Sequence, residues 1–166
     1  MARFFYAAPA SAAAPRITAR FIDVKGAALG SAALRQTAAG VLIELDLSGL
    51  PPGEHGFHVH ETGTCNGSDG FKSAGGHWSL PEQAHGMTGG KPSHAGDMPN
   101  QFVAADGRLK AHVLNANARL QGQASMLDRD GASLVLHAKA DDYRSQPAGD
   151  SGERIACAVV EGALSR

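Results

Sequence analysis

Three histidines fall within six residues in the stretch "HGFHVH" at 55–60: His55, His58 and His60. Side chains two apart on an extended strand share a face, so His58 and His60 stand side by side while Phe57 and Val59 face the opposite way, toward a core. Two imidazoles fixed on a rigid element are a preorganised start to a metal site. A single histidine is more often an ordinary packed or solvated side chain. His55 lies across Gly56, out of this register, and is not expected to be a metal ligand. Further on, His77, His85, His94 and Asp97 sit in a segment rich in Gly, Pro, Ser and Asn. Three imidazoles and one carboxylate make a closed tetrahedral zinc set, and ion binding could supply the ordering energy that such a weakly apolar segment lacks. His137, at the end of "LVLH", is another candidate on a strand, whereas His112 has no partner in sequence and reads as a surface or core residue.

Six histidines and one aspartate are too many for one four-coordinate ion. They suit two ions that share a ligand, because a deprotonated imidazole offers both ring nitrogens. An all-imidazole group without cysteine suits copper among the redox-active metals, although zinc, iron and nickel also accept imidazole. The spacing leaves open which histidine is shared.

The elements that must hold these side chains read as strands. Residues 16–24 lean toward a strand, with Ile17 and Ile22 as core positions. Val41, Ile43, Leu45 and Leu47 alternate with Leu42, Glu44 and Asp46, the period of a half-buried strand, which ends at Gly49, Pro51, Pro52 and Gly53. "GFHVHE" starts another. From 61 to 101 the pattern dissolves, and an irregular segment of that length inside a domain is usually functional. "FVAAD" and "LKAHVLN" follow as strands joined at Asp106-Gly107, then "ASLVLHAKA" after Asp130-Gly131, and "RIACAVVEG" after a second irregular stretch at 141–153. Strands with turn signals, two long loops and no amphipathic helix predict an antiparallel sandwich or barrel.

The 166 residues suit one domain with a sizeable core. A net charge of -1 gives no global pull toward nucleic acid or an anionic membrane, and no apolar run is long enough for a spanning helix. The opening "MARFFYAAPASAAAPR" has Arg3 and an Ala-rich end, but its apolar part is short and broken by Pro9. Residues 1–14 are therefore expected to be a tail or a remnant of processing or cloning, without an intact signal peptide, ahead of a domain at 15–164. Cys65 and Cys157 are the two cysteines. Count alone leaves them free or bridged; a bridge would close a loop of about 90 residues, contribute about 4–5 kcal/mol and imply an oxidising compartment.

The segments "GFHVHE", "SAGGHW", "HG" at 85–86, "HAGDMPN", "LVLHAKADD" and "ERIACAVV" occur in that order over about residues 15–161, and together they closely resemble copper/zinc superoxide dismutases of the bacterial branch. The resemblance implies an all-β, eight-stranded Greek-key barrel; this family is itself a reference case of the sandwich architecture. It implies copper ligation by His58, His60, His77 and His137. It implies zinc ligation by His77, His85, His94 and Asp97, with His77 as the shared imidazolate. Asp141 matches the carboxylate linking a copper histidine to a zinc histidine, Arg154 the arginine beside the open copper position, and Cys65 with Cys157 the family disulfide. The implied reaction is disproportionation of superoxide to dioxygen and hydrogen peroxide, with His77 carrying a proton and Arg154 holding the anion. Lys72 is a weaker candidate for steering, with a solvated loop lysine as the plain alternative.

The residues at 78–80, Trp-Ser-Leu, depart from the usual family pattern and put local packing in question. The 141–153 loop carries few lysines, which leaves its steering role open. A non-enzymatic copper/zinc module, whether chaperone, store or degenerate domain, would usually lack a copper ligand or the arginine. A hydrolytic zinc enzyme would need a free base, and Asp97 is committed to the metal. The resemblance covers both monomers and homodimers, and with its disulfide it points to the periplasm or an extracellular location.

Overall fold

In a computed structural model of the chain, residues 16–122 and 125–162 are described; the tail expected at 1–14 lies outside them. Among the described residues nine strands form: β1 (Arg16–Asp23), β2 (Ala28–Thr37), β3 (Gly40–Leu47), β4 (Gly53–His55), β5 (Phe57–His60), β6 (Gln101–Val103), β7 (Leu109–Asn115), β8 (Ala132–His137) and β9 (Arg154–Val160). Seven pair in the antiparallel order β5-β8-β9-β1-β2-β3-β7, and β4 pairs with β6. The turn at 104–108 joins β6 to β7, with the Ala104 N–H donating to the Arg108 carbonyl. β4 runs on into β5 across Gly56, so the order returns to its start and the sheet curls into a barrel. With β4 and β5 counted as one run broken at Gly56, the strands number eight, as expected.

The alternation predicted for β3 appears as burial of Val41, Ile43, Leu45 and Leu47, and Phe57 and Val59 are fully enclosed. These pack with Ile17, Phe21, Leu34, Leu134 and Leu136 as the barrel core. Burying side chains of this size stabilises by about 1.5–3 kcal/mol each before entropy is charged against it. Strand β2 has no counterpart in the sequence reading. Its buried positions include Ala32, which hides the apolar alternation, and it is held by pairing with β1 on one side and β3 on the other. The expected core position at Ile22 is also corrected. Ile17, Ala19 and Phe21 alternate into the barrel, so Ile22, next to Phe21, falls on the other face and packs outside it. Strand β6 is shorter than "FVAAD" suggested, because the backbone turns at Ala104.

The segment 61–100 is held by a few anchors. It contains two short 3-10 turns, Gly67–Asp69 and Lys72–Ala74. Cys65 is bridged to Cys157 in β9. Around that bridge Phe71, Ala74, Val135 and Cys157 form a second small core, packed by Ile22 and Cys65. Farther along, β5 takes the loop as backbone neighbours. Val59 N–H donates to the Gly96 carbonyl (2.9 Å), Trp78 N–H to the Val59 carbonyl (2.8 Å), and Gly96 N–H to the Trp78 carbonyl (2.8 Å). Trp78, whose setting the sequence left in question, is buried in the barrel core.

Candidate metal centre

The same backbone pairing that fixes the loop places its ligand-type side chains against those of β5. His58 bridges to Asp97 and His60 to His77 in short antiparallel contacts. Gly96 must lie flat against Val59 for this; a side chain there would overlap the Val59 carbonyl. His137 ends β8, beside β5 in the sheet. Two groups result: His58, His60, His77 and His137, all buried, and His77, His85, His94 and Asp97, buried except for half-buried His94. Within each group the ligand atoms lie within 4.8 Å of one another, and His77 belongs to both.

The outward nitrogens are occupied, which defines the inward ones. His58 Nε2–H donates to Asp141 Oδ2 (2.7 Å), His60 Nδ1–H to the Gly75 carbonyl (3.0 Å) and His137 Nδ1–H to the Gly152 carbonyl (3.2 Å). That leaves His58 Nδ1, His60 Nε2 and His137 Nε2 facing inward, the last two 3.4 Å apart. His58 Nδ1, His77 Nε2 and His94 Nδ1 are buried without a hydrogen-bond partner. Orphaned buried polar atoms are rare, and three ring nitrogens of this kind within two clusters fit lone pairs directed at a cation. In the second group His77 Nδ1, His85 Nδ1 and His94 Nδ1 lie 2.9, 3.1 and 3.5 Å from Asp97 Oδ1. Ligands at 2.0–2.1 Å from a tetrahedral zinc are separated by about 3.3 Å. The donor sets therefore fit an all-nitrogen copper site beside an N3O zinc site.

Burial pushes His58 down to about 4 despite its bond to Asp141, and pushes His137 down to about 3, with His58 adding to the effect. Burial also lowers His60 and His94. These rings are thus unprotonated and available as ligands at neutral pH. Burial alone would lower His85 as well, but its bonds to Asp141 and Asp97 outweigh it and push the ring up to about 9, so a cation bound at Nδ1 has to displace a proton there. Burial opposes ionisation of the two carboxylates. Hydrogen bonds from His77 and His85 nevertheless hold Asp97 well below the usual carboxylate range, and bonds from His58 and His85 do the same for Asp141.

Asp141 joins the two groups through His58 and through His85, whose Nε2–H donates to Oδ1 at 3.0 Å. Three residues absent from the sequence reading support it. Asn100 Oδ1 accepts from the Asp141 N–H (2.8 Å), and Asn100 Nδ2 donates to the Asp141 carbonyl (2.9 Å). The Tyr143 hydroxyl accepts from the Asn100 N–H (2.7 Å). Gly149, at φ +67, packs directly on this carboxylate; a β-carbon there would overlap Asp141 Oδ1 and stand 2.6 Å from His85 Nε2. Only "HAGDMPN", where Asn100 closes the motif, carried a signal for any of them. Gly149→Ala is expected to push Asp141 off both rings and lower zinc affinity about 10–100-fold, the usual loss when a ligand's outer partner is disturbed. Zinc retained after dialysis against a chelator measures this, and unchanged retention would show that the contact is dispensable.

Arg154 opens β9 with its guanidinium clamped. Nη1 donates to the Phe71 carbonyl and Nη2 to the Gly75 carbonyl, both at 2.6 Å. Gly75 thus anchors both Arg154 and His60. Arg154 lines a cleft of about 460 Å³ with Asp69, Lys72 and Glu153. Lys72 is exposed at this cleft. His55 lies outside both groups. It is buried with Nδ1 at 2.7 Å from the His137 carbonyl and Nε2 at 2.8 Å from the Pro51 carbonyl, tying the turn to β8. His112 is exposed on β7 opposite Glu44.

A curled all-β sheet carrying two adjoining imidazole clusters with one ring in common defines a two-metal barrel protein. Comparison with known proteins gives that class its family. The model of copper/zinc superoxide dismutase (SODC) matches residues 28–160. Superoxide dismutase [Cu-Zn] 1 of Aquifex aeolicus is 44% identical over 146 residues, covering 86% of each chain. Among solved structures, a doubly substituted SOD-like protein from Bacillus subtilis superposes with a TM-score of 0.83 at 34% identity, over 87% of this chain and 97% of that one. Cu/Zn superoxide dismutase from Brucella abortus gives 0.72 at 30% identity, over 88% and 99%. The chain belongs to the copper/zinc superoxide dismutase family, and to its bacterial type. It is accordingly a copper- and zinc-dependent oxidoreductase acting on superoxide.

Proposed function

We propose that this chain disproportionates superoxide with His58, His60, His77 and His137 as copper ligands and His77, His85, His94 and Asp97 as zinc ligands. The observation that carries this assignment is the position of His77, whose two ring nitrogens face the two groups: Nε2, buried and unpartnered, toward the first, and Nδ1 toward Asp97. When bound, copper supplies one-electron exchange between its two oxidation states, and zinc supplies a fixed charge without redox change. Across the cycle two superoxide ions and two protons give one dioxygen and one hydrogen peroxide.

The protein's own part is orientation, attraction and proton handling. Asp141 holds the proton on His58 Nε2 and on His85 Nε2, so the Nδ1 lone pair of each is directed at its group. The Gly75 and Gly152 carbonyls do the same for His60 and His137 from the opposite ring position. His77 Nε2 is the nitrogen we assign to take up a proton and release it within each turnover. Arg154 stays cationic although burial lowers its pKa from the ordinary guanidinium value. Its clamp on Phe71 and Gly75 keeps that charge beside the first group, where an anion would approach.

Arg154→Glu is expected to lower kcat/KM at low salt by about 10–1,000-fold and to flatten or reverse its salt dependence. That range is the general one for electrostatic steering, and superoxide dismutases are among the enzymes that define it. A rate unchanged at low salt would remove Arg154 from substrate capture. We take 15–164 as the one functional domain. The bacterial type and the Cys65–Cys157 bridge support an oxidising location, the periplasm or beyond; the redox state of the cysteines in native cells tests this. A second copy of the chain is an allowed partner, and sedimentation distinguishes monomer from dimer. Metal analysis with a superoxide-decay assay tests the whole reading. It expects one copper and one zinc per chain with activity; both metals without activity would instead mean a carrier or store.

A further inference from the structure

We infer that Gln146 is a positioning residue of the zinc group, acting through the main chain of His85; the inference rests on the zinc assignment above. His85 is buried, yet it lies in an irregular stretch outside the strands, where the neighbouring Ala84 makes a single bridge to Ser93. Its main-chain groups are taken up by one side chain. Gln146 Oε1 accepts from the His85 N–H at 3.0 Å, and Gln146 Nε2 donates to the His85 carbonyl at 2.7 Å. A single planar amide therefore offers His85 the acceptor and donor that a neighbouring strand would offer. Nε2 also donates to the Arg144 carbonyl at 3.2 Å, which keeps the amide plane from turning.

The 141–153 loop thus holds His85 at two points. Asp141 takes the ring at Nε2 and Gln146 takes the backbone, and two fixed points set where Nδ1 falls relative to Asp97 Oδ1. Gln146 is itself exposed, so it contributes little to packing, and its loss should act through these bonds. Thr88 supplies the comparison. Its hydroxyl donates to the Tyr143 carbonyl at 2.9 Å, joining the same two loops without touching His85.

The test uses the copper- and zinc-loaded protein and its Gln146→Ala, Gln146→Glu and Thr88→Val variants. Two quantities are read: the rate of zinc transfer to a competing chelator, and the visible spectrum of cobalt(II) substituted for zinc, which reports ligand geometry. Gln146→Ala should release zinc about tenfold faster and shift the cobalt bands, in line with the loss of two hydrogen bonds behind a ligand. Gln146→Glu, which keeps the acceptor for the His85 N–H and loses the donor, should fall between it and the unsubstituted protein. Thr88→Val should match the unsubstituted protein in both. Zinc release and spectrum unchanged in Gln146→Ala would overturn the inference, as would an equal effect from Thr88→Val. If Gln146→Ala does not fold, Gln146→Glu decides, and a release rate equal to the unsubstituted protein's overturns it. Failure of the unsubstituted protein to retain zinc would be a failure of the zinc assignment itself, visible before any variant is compared.

Discussion

His137→Ala is expected to empty the copper group while zinc stays bound and the barrel stays folded. His137 belongs to the four-histidine group alone, and its ring does not touch Asp97, His85 or His94. Losing one of four nitrogens should weaken copper by more than the roughly 10–100-fold seen when only an outer partner is removed. Superoxide decay should fall in proportion to the copper lost. Folding should tolerate the change, because the truncation removes a largely polar contact next to Gly152 and leaves β8 paired with β5 and β9. Metal content of the purified variant is the check. Copper unchanged at one per chain would remove His137 from the site, and loss of zinc with copper would mean that the two groups are not separable as described.

Removal of the disulfide, by Cys157→Ser or by reduction, should have the largest effect on stability. The bridge closes a loop of 92 positions, for which the chain-entropy account gives about 4–5 kcal/mol, less any native strain. For a domain of this size that corresponds to a melting temperature lower by roughly 10 °C. The effect should not be uniform. Cys65 and Cys157 pack with Phe71 and Ala74 in the small core outside the barrel, and the Phe71 carbonyl is one of the two that clamp Arg154. Hydrogen exchange should therefore rise across 61–97 before it rises in β1–β3, and activity should fall as Arg154 loses its clamp. Equal protection of the loop in the oxidised and reduced proteins would show that the bridge does not order it.

The sequence made the site more legible than the fold around it. Ligand-type residues carry their chemistry in their names, and the period of two placed His58 and His60 together on one face of β5, away from Phe57 and Val59. Where a position depends on tertiary contact, the signal disappears. Strand β2 is hidden because alanine fills positions that a longer apolar side chain would have marked, and only its two neighbours reveal it. Ile22 was misplaced because it stands five positions from Ile17, an odd step that puts the two on opposite faces of a strand, and the inward place goes to Phe21. Gly149, Gln146 and Tyr143 sit in a loop with no periodicity at all. Tyr143 acts on Asn100 and Gln146 on His85, both far away in the chain, and nothing in "DDYRSQPAGDSGE" states that Gly149 packs on Asp141 and His85.

The central claim is that His77 serves two cations at once, and crystals of the copper- and zinc-loaded protein measured at the two absorption edges test it most directly. The account predicts one peak specific to copper at His77 Nε2 and one specific to zinc at His77 Nδ1, the first among His58, His60 and His137 and the second beside His85, His94 and Asp97. A single peak, or two peaks that do not share the His77 ring, would contradict it.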